Sequence, residues 1–160
     1  MLSDYGGSEL TGGQSDAEAS DGLSEAQLRD VIGVAEVVYP SAVTGIPAFV
    51  TTYVTELPAS RTAGVRRAIE WLNGWAQARA GSRPAELSAS ERAILLRSYG
   101  VNRVDAEPTG TVPEQIRYFV VNELLYALFT SPAGSSLVGV DNPVGHPGGY
   151  DDYQEGPTDE

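Results

Sequence analysis

The sole histidine of this 160-residue chain, His146, sits in the run NPVGHPGGYDDYQEGP, residues 142–157. An imidazole can exchange a proton near neutral pH or ligate a metal. Asp141, Asp151 and Asp152 lie close by in sequence, but a divalent ion held by carboxylates needs a convergence of oxygens that this spacing does not specify. His146 also precedes Pro147, which biases its backbone towards an extended form. It therefore reads as a turn residue or an interface contact, able to bridge two chains as donor and acceptor.

Glu123 is the second residue that could do chemistry. On a helical wheel it falls between Ile116 and Phe119 and beside Ala127, inside an apolar arc, whereas Gln115, Tyr118 and Asn122 form a polar arc. It is a candidate buried carboxylate with two readings. Either it pairs with an arginine or reaches an exposed edge, or it is unpaired and holds its proton unusually tightly. One carboxylate does not make an acid–base pair.

The remaining inventory excludes several reaction classes. With no cysteine, thiolate catalysis, disulfides and iron–sulfur ligation are closed. No Gly-x-Ser-x-Gly elbow is present for a hydrolytic triad. A Walker-type phosphate loop needs a lysine, and all ten basic residues are arginine. The pairs Gly6–Gly7 and Gly12–Gly13 lack the strand and helix that frame a dinucleotide fingerprint. The expectation is a chain with no catalytic, cofactor-binding or metal-ligating residues of its own.

The elements that would position these residues are helical. Ser24 and Gln27 form a capping box ahead of LSEAQLRDVIGVAEVVYP, where Leu28, Val31, Ile32, Val34, Ala35, Val38 and Tyr39 cover one face. Arg29, Asp30, Gly33 and Glu36 take the other face, and Pro40 ends the helix. Pro47 opens a second, short helix bearing Phe49, Val50, Tyr53 and Val54. Val65, Ala68, Ile69, Leu72, Trp75 and Ala76 mark a third, closed by Gly81. There, Arg66 and Arg67 beside Glu70 and Trp71 read as surface pairing. Ser88 and Glu91 box the start of a fourth helix, and Pro113 suits the first turn of a fifth, PEQIRYFVVNELLYALF.

The fold class is thus all-α: a single domain of about five helices over residues 23–131. After Ser131 the glycine and proline density disfavours regular structure. Residues 132–153 read as an extended strap anchored by Leu137, Val138, Val140, Tyr150 and Tyr153, and residues 154–160 as an acidic tail.

The formal net charge is −12, and it belongs to the ends. Residues 1–22, a disordered tail by composition, carry five acids and no base, and residues 141–160 carry six acids and no base. The intervening segment holds eleven acids against ten arginines. Acidic ends make nucleic acid a poor partner. No apolar run approaches the ~20 residues of a spanning helix, so no direct membrane insertion is expected. The acidic start lacks a basic and apolar export signal, which points to a cytoplasmic location, with export open only alongside a partner. Arginine without lysine, in an acidic chain, fits a salt-rich cytoplasm of the haloarchaeal kind, and a high-G+C genome would give the same bias.

The stretch FVVNELLYALFTSPAG, followed by LVGVDNPVGHPGGYDDY, resembles the end of the gluconate 2-dehydrogenase subunit 3 family. There a helix runs into a phenylalanine-rich stretch, a proline, a glycine-rich loop and a closing Pro-Gly-x-x-Tyr-Asp-Tyr-like segment. Phe129 and Pro132 match the first part, and Gly139, Pro147, Gly148, Tyr150, Asp151 and Tyr153 the second. The opening VIGVAEVVYPSAVTGIPAFVTTYV is similar too. The chain departs from the family in having Leu137–Val138 in place of a tryptophan, Ala127–Leu128 in place of glycine, and no twin-arginine signal.

The resemblance implies a non-catalytic small subunit that stabilises, or helps export, a large flavoprotein of the glucose–methanol–choline oxidoreductase type. FAD would lie on that partner, and a cytochrome c subunit would receive electrons in some systems. The implied interface residues are Phe129, Pro132, His146, Pro147, Tyr150 and Tyr153. The alternative is a free-standing helical adaptor or regulator with no flavoprotein partner.

Overall fold

The computed structural model describes residues 22–138, and every regular element among them is helical. The elements are α1 (Glu25–Val38), α2 (Ile46–Thr55), α3 (Ala59–Ala80), α4 (Ala89–Ser98), α5 (Val112–Ile116), α6 (Asn122–Thr130) and α7 (Pro132–Leu137). A π-helical turn, Arg117–Val121, joins α5 to α6 into one rod, so the five expected helices are present and a short sixth follows.

Local chemistry sets most boundaries. The boxes Ser24–Gln27, Ser88–Glu91 and Thr111–Glu114 each satisfy two otherwise free amides at the starts of α1, α4 and α5. Gly81 closes α3 at φ 71°, a left-handed conformation that costs glycine no Cβ clash.

The core runs between α1, α3 and the α5–α6 rod. Val31, Val34 and Ala35 of α1 meet Val65, Ala68, Ile69 and Leu72 of α3 and Ile116, Val120, Leu124 and Leu128 of the rod in one buried cluster. Those last four residues recur every fourth position. A four-residue step overshoots a full α-helical turn by about 40°, so three steps would rotate Leu128 about 120° out of the core. The π turn absorbs this drift: the Asn122 amide donates to the Arg117 carbonyl five residues back. The same turn sets Phe119 against Gly64 of α3 so closely that a Cβ there would collide with the ring. Arg67 lies over the Phe119 and Trp71 rings, and Trp75 stacks on Tyr99 with ring centroids 3.9 Å apart.

Two expectations are corrected. Asp30 and Gly33, assigned to the solvent side of α1, are both buried, because the segment between α3 and α4 folds across that side. Arg83 donates to Asp30 Oδ2 through Nε (3.1 Å) and Nη2 (2.6 Å), and the Ala85 amide donates to Oδ1 (3.0 Å). Arg92 fans its donors to the carbonyls of Pro84, Leu87 and Gly33 and to Glu36 Oε1, all within 3.0 Å. Its side chain runs so close to Gly33 that a Cβ there would lie 3.2 Å from Nε.

The second correction concerns the strap, whose first six residues, Pro132–Leu137, are α7 rather than extended. Ser131 caps the Gly134 amide (2.9 Å), and Pro132, lacking an N–H, suits the first turn. Gly134 is no helix breaker here: it packs on the Ala127 and Leu128 carbonyls, where a Cβ has no room. The rest of the strap, residues 139–153, and both tails up to residue 21 and from 154 lie outside the described residues.

Burial pushes the Asp30 carboxyl above its ordinary value of 3.8, with Glu70 adding to the effect and the Ala85 amide and Arg83 opposing it. A raised folded-state value means that the native chain takes up this proton more readily than the unfolded one. Asp30 therefore contributes most at low pH, and the contribution is lost as pH rises through the folded-state value. Asp30→Asn is expected to cost about 2 kcal/mol at pH 7, and chemical denaturation should show that cost growing towards pH 4. A cost that shrinks with falling pH would show that the Arg83 ion pair outweighs the burial.

Candidate functional site

Glu123 lies in the first turn of α6 with 7 % of its surface exposed. The chain brings it one cation and one phenol. Arg61, in the first turns of α3, donates through Nη2 to Oε1 in a close ion pair. Tyr53, near the end of α2, donates its hydroxyl to Oε2 at 2.7 Å. One carboxylate thereby ties three helices. Beside it, the buried Tyr39 hydroxyl donates to the Leu124 carbonyl at 2.8 Å.

This geometry keeps the cluster chemically quiet. Each Glu123 oxygen already accepts one hydrogen bond, Oε1 from Arg61 and Oε2 from Tyr53. Burial, reinforced by the hydrogen bond to Glu123, pushes the Tyr53 phenol well above its ordinary value, so it keeps its proton. The bond to Glu123 likewise raises Arg61, which stays charged. Among the described residues no three His, Asp or Glu side chains converge as a metal site.

The surface around the cluster is shaped for contact. A concavity of about 470 Å³ is lined by Arg61, Ala106, Tyr118, Asn122, Leu125 and Tyr126, with Glu123 at its base. Tyr118, Tyr126 and Phe129 are 37, 60 and 57 % exposed, which leaves three large rings in water along one rod. Aromatic side chains left out of a core in this way are typical docking anchors. Pro132 is exposed immediately beyond.

Of the residues singled out in the sequence, Phe129 and Pro132 are thus surface neighbours on the α6–α7 corner, and Glu123 is buried one to two turns away. His146, Pro147, Tyr150 and Tyr153 lie outside the described residues. Sequence reasoning did not find Tyr126, Tyr53 or Arg61. An apolar-arc glutamate calls for a cation, but nothing in the spacing selects one arginine out of ten. Tyr126 was hidden by the π turn, which changes the register of every residue after it.

The model of one family, gluconate 2-dehydrogenase subunit 3, matches residues 25–148, more than half of the chain. The chain belongs to that family. The match runs from the start of α1, through α7, and into the segment containing His146 and Pro147. No curated protein and no solved structure matches the chain. Family membership makes this chain a relative of a subunit of a multi-subunit dehydrogenase. Among the described residues no helix is long and apolar enough to cross a membrane.

Removing each donor separates the terms of the clamp. Arg61→Ala leaves a charge in a buried position and is expected to cost about 2 kcal/mol, whereas Tyr53→Phe removes one hydrogen bond for about 1 kcal/mol. Urea midpoints of the two variants should fall in that order, and the reverse order would contradict an ion pair that outweighs the phenol hydrogen bond.

Proposed function

We propose that this protein is the non-catalytic small subunit of an FAD-dependent dehydrogenase of the glucose–methanol–choline type, acting on a sugar, sugar acid or alcohol. It binds and stabilises the large subunit, or accompanies its export. The observation that carries the reading is the exposed ring row Tyr118, Tyr126 and Phe129, ending at Pro132, on a chain of the gluconate 2-dehydrogenase subunit 3 family. Exposed rings over a rigid helical rod lose little conformational freedom on contact, which is what an affinity-determining anchor requires.

The flavin and the groups that transfer hydride belong to the partner in this reading. The described residues supply no glycine-rich turn after a strand, and the base of the 470 Å³ concavity is an already-paired carboxylate. Pro147, Tyr150 and Tyr153 extend the interface from the α6–α7 corner, and His146 serves there as a turn or contact residue. A cytochrome c subunit would then take electrons from the large subunit without passing through this chain.

Co-expression with a large flavoprotein of the glucose–methanol–choline type tests the reading. The pair should co-purify with flavin on the large subunit, while this chain alone should carry none. Tyr126→Ala and Phe129→Ala should each weaken the complex about tenfold or more, the loss typical of a buried aromatic anchor. Tyr150→Ala and Tyr153→Ala should weaken it in the same direction. A flavin-loaded, active 160-residue chain by itself, or undiminished co-purification of all four variants, would overturn the proposal.

A further inference from the structure

The ring face carries polar atoms as well as rings, and their sense is one-sided. In the 470 Å³ concavity the charged lining residues are Arg61 and Glu123. They are paired but unequally placed: the Arg61 side chain is 45 % exposed and that of Glu123 8 %. The carboxylate is the inner member of the pair and the guanidinium the outer one. Glu123 Oε1 takes one Arg61 nitrogen, Nη2, and among the described residues Nε and Nη1 of Arg61 have no acceptor. A guanidinium carries its N–H groups in a planar fork, so one pairing leaves donors for a second carboxylate.

Asn122 adds donors of the same sense. Its Oδ1 accepts from Arg117 Nε at 3.2 Å. Arg117 can only donate, so that bond sets the orientation of the amide and leaves its Nδ2 hydrogens available. Arg117 also donates through Nη1 to the Val101 carbonyl at 3.1 Å, so the group that orients Asn122 is itself anchored.

The rings of Tyr118 and Tyr126, with Leu125 and Ala106, line the same concavity. Their phenol hydroxyls can serve as donor or acceptor. Asp105 and Glu107 flank Ala106 in sequence, but neither lines the concavity. An entering cation would meet the Arg61 charge and the amide hydrogens of Asn122. An entering carboxylate would meet complementary donors, among apolar walls that exclude water and strengthen the pairing.

We infer that the concavity receives a carboxylate of the large subunit, an Asp or Glu side chain or a C-terminus, set against Arg61 and the Asn122 amide beside the two tyrosine rings. The inference rests on the subunit reading above and adds to it the chemistry of the partner's anchor. Arg61 then bridges two carboxylates, Glu123 on the inner side and the partner's on the outer. Docking is thereby joined to the clamp that ties α2 and α3 to α6.

A chain without lysine allows a direct test. Arg61→Lys combined with Glu123→Gln places the single side-chain amine of the protein at the concavity and removes the concavity's own carboxylate. A carbodiimide joins an amine to a carboxylate held against it, with no spacer. In the complex with a large flavoprotein of the glucose–methanol–choline type, peptide mass spectrometry should find position 61 coupled to an acid of the large subunit. The yield should exceed that of an Ile94→Lys control, exposed on α4, by about tenfold or more. In a second arm, Arg61→Gln with Glu123→Gln leaves a neutral amide pair in the clamp. That variant should weaken the complex about tenfold and make its affinity less dependent on salt. Tyr126→Ala should weaken the complex with its salt dependence unchanged. Equal coupling at positions 61 and 94, or undiminished affinity of the double glutamine variant beside a weakened Tyr126→Ala, would overturn this inference and leave the subunit reading standing. Undiminished binding by every variant, or no complex at all, would overturn both.

Discussion

The paired burial of Glu123 sets the terms for the rest of the molecule. A carboxylate with 7 % exposure cannot remain charged without donors on its oxygens, and here they come from two other helices. Those donors link α2 and α3 to α6, on the same rod whose Ile116, Val120, Leu124 and Leu128 enter the core. Tyr126 and Phe129, three and six residues after Glu123, are left exposed on that rod. The Asp30–Arg83 pair and the Arg92 fork play the corresponding part at the other end of α1, holding the α3–α4 connection across it.

The same pairing engages both oxygens of Glu123, which lines the 470 Å³ concavity. A carboxylate that answers to Arg61 and Tyr53 is a fastener. What the described surface offers instead is aromatic area on a rigid rod, next to a proline corner. The chain belongs to the gluconate 2-dehydrogenase subunit 3 family, which is named for a subunit of a dehydrogenase. The physical reading and the family meet there without either one supplying the other.

Much of the fold was legible because local signals and hydrophobic period agreed. The capping boxes at Ser24 and Ser88, with Pro47, Gly81 and Pro113, mark helix ends that the structure reproduces within a residue or two. Two features were not legible. The four-residue recurrence of Ile116, Val120, Leu124 and Leu128 was the written trace of the π turn, but a wheel drawn at 3.6 residues per turn cannot display it. Asp30 looked like a solvent residue because its partner, Arg83, lies 53 positions away and no local rule reaches that far. Pro132 and Gly134 read as helix breakers in the sequence, yet each has a helical use, one at a first turn and one at a close backbone crossing. At the candidate site, Glu123 and Phe129 stood out by type and position, whereas Arg61 and Tyr53 acquire their role only through the tertiary fold.

The central claim is that this chain works through the ring face of its α5–α6 rod and not through chemistry of its own. Hydroxyl-radical footprinting of a complex with the proposed flavoprotein partner tests it most directly, because aromatic side chains report their own exposure. The account predicts that Tyr118, Tyr126 and Phe129 lose most of their reactivity on complex formation, while Ile94, exposed on α4, keeps its own. Unchanged reactivity at all three rings in a stoichiometric complex would contradict it.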